Sequence, residues 1–184
     1  MSSTFPGTTI EVSVLEKGCS RSLFEGIFAA GGITLSQVSI MTGLEPYLIQ
    51  NWVKRGFVSS PRKRVYSREQ FARILIINML RESLQLERIC NLIHIIGGDT
   101  DRKEDDLIGD DELYHRYVDM IAEGELNVSD PTVCYGAALR ATEGFEETAP
   151  NARGQLCKLL QVMLYAHAAS RYRQSAEELL SSLR

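Results

Sequence analysis

The sequence predicts a mainly α-helical fold carrying a single short β-ribbon. Three features support this. Apolar residues recur at helical spacing along most of the chain. The periodic segments open on Ser, Thr or Pro and close on Gly, residues that start and stop helices. Residues that favour strands flank a turn in one place, "FVSSPRKRVY".

In chain order, "CSRSLFEGIFAAGG" reads as a short helix ended by glycines, with Leu23, Ile27 and Ala30 on one face. "TLSQVSIMTG" follows, with Thr34 as N-cap, Gln37 at the capping-box position and Leu35, Val38 and Met41 pointing inward. Gly43 supplies a tight turn, and Pro46 opens a helix whose apolar stripe is Ile49, Trp52 and Val53 and whose stop is Gly56. After the ribbon, Ser67 and Gln70 form a second capping box for a helix running to about Leu80. A further helix over "LERICNLIHII" keeps Leu86, Ile89, Cys90, Ile93 and Ile96 in register and stops at Gly97 and Gly98. Beyond the acidic stretch "GDTDRKEDDLIGDDE" come helical patterns at 111–123, 131–142 and 150–184. The last carries Leu156, Leu159, Leu160, Met163, Leu164 and His167 on one face, a stripe suited to pairing with a second copy. The acidic stretch is the expected boundary, dividing the chain into an N-terminal helical extension (1–32), a central domain (33–98) and a C-terminal helical domain (99–184).

Composition narrows the function. The chain has 184 residues, 44% of them hydrophobic and 24% charged, which fits a globular protein. No apolar run approaches the ~20 residues that span a bilayer, and no basic, apolar leader opens the chain. Four scattered cysteines (19, 90, 134 and 157) without a CxxC fit free thiols, so a cytoplasmic location is expected. The net charge of -4 hides a segregation: residues 34–94 hold nine Lys/Arg against four Asp/Glu, and residues 95–147 hold four against fifteen. Such asymmetry suggests a division of labour between a basic and an acidic part.

The basic part contains a recognisable arrangement. Two short helices joined by a glycine turn form a helix-turn-helix, whose second helix can enter the DNA major groove. With 49, 52 and 53 inward, Tyr47, Gln50, Asn51 and Lys54 lie on the outer arc, followed by Arg55 at the helix end. Gln and Asn can bond adenine bidentately, and Lys can reach guanine or phosphate. The ribbon would then present Arg62, Lys63 and Arg64, with Tyr66, to the DNA backbone, as the wing of a winged helix does.

The order of these pieces resembles the MerR-type winged helix-turn-helix. "TLSQVSIMTG", "PYLIQNWVKRGFV", "RVYS", "REQFARI" and "LQLERICNLI" follow one another as in that family, with Gly43, Ile49, Gly56, Pro61, Arg64, Tyr66 and Ser67 on its characteristic positions. The resemblance covers roughly residues 33–96; Gln50-Asn51-Trp52 stands where MerR proteins usually carry Arg-Tyr-Tyr. More closely, "LIQNWVKRGFV", "RKRVYSREQFARILIINMLR" and "DDLIGDDELYHRY" are similar to an uncharacterised bacterial family, domain of unknown function 1836. The resemblance implies a transcriptional regulator on double-stranded DNA, acting as a homodimer, with the C-terminal half supplying dimerisation and a site for an unidentified small-molecule effector. The alternative is a protein–protein adaptor that uses the same scaffold as a docking surface.

Enzyme and metal chemistry find no support in the residues. There is no GxGxxG, P-loop or GxSxG. Cys157 and His167 are ten residues apart, about 15 Å along one helix, too far for a nucleophile and its base. The carboxylates Asp105, Asp106, Asp110, Asp111 and Glu112 lack the spacing of a calcium loop. His94, His115 and His167 are scattered and expected to be structural. Neither a cofactor nor a catalytic residue is expected.

Overall fold

The structure is a computed structural model that describes residues 3–97, 108–124, 126–147 and 149–183. The expected boundary at 98–107, with Asp105 and Asp106, lies outside the described residues, as does the side chain of Ile96. Among the described residues there are eight helices and two two-stranded antiparallel sheets. In order these are β1 (Ser3–Thr4), β2 (Glu11–Val12), α1 (Cys19–Ile27), β3 (Ile33–Thr34), α2 (Leu35–Thr42), α3 (Pro46–Lys54), β4 (Val65–Tyr66), α4 (Arg68–Leu80), α5 (Leu86–Gly97), α6 (Asp110–Ala122), α7 (Pro131–Ala141) and α8 (Ala152–Ser182).

The helix ends follow from local chemistry. Both capping boxes are present: the Thr34 hydroxyl accepts from the Gln37 N–H while the Gln37 side chain accepts from the Thr34 N–H, and Ser67 and Gln70 repeat the exchange. Each box satisfies two backbone donors that a helix start otherwise leaves unpaired. Pro46 fills the first turn of α3. At the other end Gly56, at φ 78°, donates to the Val53 carbonyl while Phe57 donates to that of Trp52. This pair of bonds is a Schellman stop, which needs the left-handed conformation that glycine adopts without strain.

The strands depart from expectation. The ribbon within "FVSSPRKRVY" is reduced to one bridge between Arg62 and Val65, and Val65–Tyr66 pairs instead with Ile33–Thr34, some thirty residues earlier. A second sheet, β1 with β2, precedes α1, so the N-terminal extension is not purely helical.

α4 is the central element. Phe71, Ala72, Ile74, Leu75, Ile76, Ile77, Met79 and Leu80 are all buried, so this helix is apolar nearly all round and neighbours cover it on every side. α6 lies along it, and α2, α5 and α8 pack against other parts of its surface. One apolar cluster runs from Phe5 to Ala166 and joins the segments 33–98 and 99–184. At its centre Phe24 of α1 stacks on Tyr114 of α6, with ring centroids 5.6 Å apart, and meets Phe71 of α4 at 5.5 Å.

Polar pairs fix the same arrangement. Arg73 of α4 grips Asp110 at the start of α6 bidentately, at 2.7 and 3.2 Å, with both side chains largely buried. Arg21 of α1 reaches Asp119 at 2.6 Å and Glu112 at 3.1 Å. The N-terminal ribbon is stapled down by Asn78, whose amide donates to the carbonyls of Gly7 and Thr42, and by the Tyr114 hydroxyl, which donates to the Pro6 carbonyl at 2.8 Å.

The stripe on α8 expected to pair with a second copy is occupied. Leu156, Leu159, Leu160, Met163 and Leu164 are buried in the chain's own core, and His167 shares a 2.7 Å hydrogen bond with Tyr117 of α6. The apolar periodicity was genuine, but the surface it serves is internal.

Candidate nucleic-acid interface

α2 and α3 are joined by a turn over Gly43 (φ 69°), Leu44 and Glu45. The Ser39 hydroxyl donates to the Leu44 carbonyl at 2.6 Å, and the Thr42 hydroxyl donates to the Val38 carbonyl at 2.7 Å. Leu44, Ile49 and Trp52 are buried, Trp52 at 3% exposure, so the only tryptophan is the keel of α3. The opposite side is open: Tyr47, Gln50, Asn51 and Lys54 are exposed. At about 100° per residue these four positions fall within a single arc of about 100°. Tyr47 is 65% exposed, which is unusual for a side chain with so much apolar surface.

Arg55 is exposed but engaged. Its guanidinium lies 4.5 Å over the Phe57 ring and forms an ion pair with Glu87 of α5. The Glu87 carboxyl is held below its usual range by a backbone hydrogen bond at the start of its own helix and then by Arg55. Arg55 therefore ties α3 to α5 and contributes less free positive charge than Lys54.

The loop after α3 is moored at both ends. The Gln70 side-chain amide, already part of a capping box, donates to the carbonyls of Ser59 (2.9 Å) and Ser60 (3.1 Å). Val65 donates to the Arg62 carbonyl at 3.0 Å, closing a two-residue turn over Lys63 (φ 50°) and Arg64 (φ 65°). Left-handed backbone at both central positions defines the hairpin turn that Asn-Gly normally fills. A lysine and an arginine there cost roughly 1–2 kcal/mol each relative to glycine. Arg62, Lys63 and Arg64 are all exposed, so the strained turn is also a cationic tip.

Tyr66 does not join them. It is 3% exposed and pairs with Ile33 across the small sheet, and burial raises its phenol. Its ring anchors the turn from below and is not available to a phosphate. One cation escaped the sequence reading: Arg68, exposed at the first position of α4, lies 5.8 Å over the Phe28 ring. Its signal was its place directly after "RVYS", two residues past the strand that carries the turn.

The acidic residues of the C-terminal half are mostly committed to structure. Asp110 binds Arg73, Glu112 binds Arg21 and Arg116, and Asp119 binds Arg21 and the Gly18 N–H. Asp110, Asp111 and Glu112 also complement the positive end of α6. Where the effector site was expected, a cleft of about 270 Å³ lies between α1, α6 and α7, lined among others by Arg21, Arg116, Asp119, Glu123 and Arg140. Its cations are paired with its own acids and carbonyls: Arg140 with Glu123 at 3.0 Å, and Arg116 with the carbonyls of Ala141 and Glu143. No helix among the described residues is long and apolar enough to cross a membrane.

Comparison with known proteins adds one finding. Residues 33–117, a little under half of the chain, match the family model described as Domain of unknown function (DUF1836). The matched segment runs from β3 into α6 and so includes the Arg73–Asp110 clasp as well as the exposed arc of α3. No curated protein and no solved structure matches the chain.

Proposed function

We propose that this chain is a DNA-binding transcriptional regulator built on a MerR-like winged helix-turn-helix, working in the cytoplasm as a homodimer. α3 enters the major groove, with Gln50 and Asn51 reading base edges and Lys54 reaching guanine or phosphate. Arg62, Lys63, Arg64 and Arg68 hold the flanking backbone. One observation supports this reading above the others: in a chain of net charge -4, an uncommitted polar arc on a buried-keel helix is followed by a turn that accepts backbone strain in order to expose three consecutive cations. A turn selected for stability alone would carry Asn-Gly.

Selection of bound duplexes from a random pool tests the proposal. The expected result is a motif with inverted-repeat symmetry, because two-fold related readers see two-fold related half-sites. Replacing Gln50 and Asn51 with alanine should relax the motif. An equal loss on all sequences would show that they only position the helix, and no enrichment over random DNA would remove the proposal.

Ile40, 75% exposed on α2, and Tyr47 on α3 favour a second reading, a protein-docking adaptor. Charge reversal at Arg62 and Arg64 separates the two. An adaptor keeps its partner, whereas a DNA reader loses its duplex.

A further inference from the structure

α8 is apolar on two sides. Its inner stripe belongs to the core, but Val162, Tyr165, Ala169, Tyr172, Ala176, Leu179 and Leu183 are all exposed, Leu183 by 82%. Their spacing alternates three and four residues over three heptads, which is the seam of a two-helix coiled coil. The last bond from α8 to the body is the ion pair of Arg173 with Glu82. Beyond it, every hydrogen bond and ion pair found among the described residues lies within the helix itself. The end of α8 is therefore an arm whose exposed apolar side meets nothing in this chain.

We infer that this seam is covered by the same seam of a second copy, running antiparallel. This names the surface of the two-fold assembly proposed above but rests on separate observations. The first is size. The seven side chains expose on the order of 700 Å² per chain, close to the ~800 Å² per partner of a standard-size interface.

The second is self-complementarity. One set of alternate positions is large (Tyr165, Tyr172, Leu179) and the other is small at its centre (Ala169, Ala176). Antiparallel helices place one set against the other, so Tyr172 meets Ala176 of the second copy and Ala169 meets its Leu179. Parallel helices would stack tyrosine on tyrosine and alanine on alanine, demanding a wide and a narrow spacing in turn. The third is charge. Arg171 and Arg173 precede Glu177 and Glu178 along the arm. Antiparallel pairing brings the basic pair of one chain beside the acidic pair of the other, while parallel pairing sets like beside like.

The test uses the full chain without DNA, so its result is independent of base reading. Sedimentation should give a dimer. Tyr172→Glu with Leu179→Glu should weaken dimerisation by at least ~100-fold, since two charges would enter an apolar seam. Both positions are exposed, so Trp52 emission should stay native and show that the body is folded. A monomeric parent, or a double variant that dimerises as well as the parent, overturns the inference. Orientation is read from mixed oxidation of Ala169→Cys and Leu179→Cys chains, against a background of the parent protein. Disulfides between the two kinds of chain are expected. Disulfides only between like chains would overturn the antiparallel arrangement.

Discussion

Lys63 and Arg64 occupy a conformation that asparagine and glycine fill at little cost. Replacing them as Lys63→Asn with Arg64→Gly should raise the unfolding free energy by about 1–2 kcal/mol, because the strain of two bulky left-handed residues is relieved. The same variant should bind DNA less tightly, and its logarithmic salt dependence should flatten by about 1.8, since two phosphate contacts are gone. Urea denaturation and gel shifts at several salt concentrations would check both halves; unchanged DNA affinity would separate the strain from binding. A second residue-scale effect concerns pH. Burial, with Arg171 adding to it, lowers the His167 pKa to about 4, and burial also lowers that of His115. The unfolded chain then binds more protons than the folded one below the ordinary histidine value of about 6.5. Stability is fully present above that value and falls as pH drops towards 4, by roughly 3 kcal/mol from His167 alone. Melting temperature should decline across this window, and His167→Gln should flatten part of the decline.

At the scale of elements, the helices were legible because their signals are local. Thr34, Pro46, Gly56 and Ser67 stop or start helices through bonds made within a few residues, so reading them needs no knowledge of the fold. The pairing of β3 with β4 was not legible: two-residue strands carry almost no periodic signal, and their contact spans some thirty residues. Nor did the composition of the turn announce its shape, since neither Lys63 nor Arg64 is a residue that usually turns left. The exposed arc of α3 could be read from the positions of Ile49 and Trp52, but the burial of Tyr66 could not, because it depends on β3. On α8 periodicity alone could not say which of two apolar stripes faces the core. Contacts made by backbone are equally silent. Gly7 sits at φ 73°, and a Cβ there would come within 2.3 Å of the Leu75 carbonyl oxygen. Gly7→Ala is therefore expected to destabilise the protein by more than ~2 kcal/mol, seen as a lower urea midpoint with an unchanged slope.

For the molecule as a whole, the acidic stretch suggested a boundary, yet the acids that flank it on the structured side are clasped by Arg73, Arg21 and Arg116. A charge run reads as a solvated linker when its partners lie far away in sequence. With α1, α4, α6 and α8 sharing one core, the chain should unfold in one step. Trp52 reports on α3 alone, whereas helical circular dichroism is weighted towards α6, α7 and α8. Their denaturation curves should coincide; separated midpoints would mean two independent units. Breaking the clasp with Asp110→Ala leaves Arg73 without that carboxylate in a largely buried position, and a loss of about 3 kcal/mol should appear in both signals together.

The aromatic floor under the reading helix is borrowed from outside the segment that the family model covers. Phe24 and the backbone of residues 5–8 close over Phe71, Tyr114 and α4 from the N-terminal side. Residues 33–117 cloned as a stand-alone reader would leave that floor roofless and wet. Any portable version of this module has to start near the first residue, and bulky tags belong at the far end only if the arm is left free to find its twin.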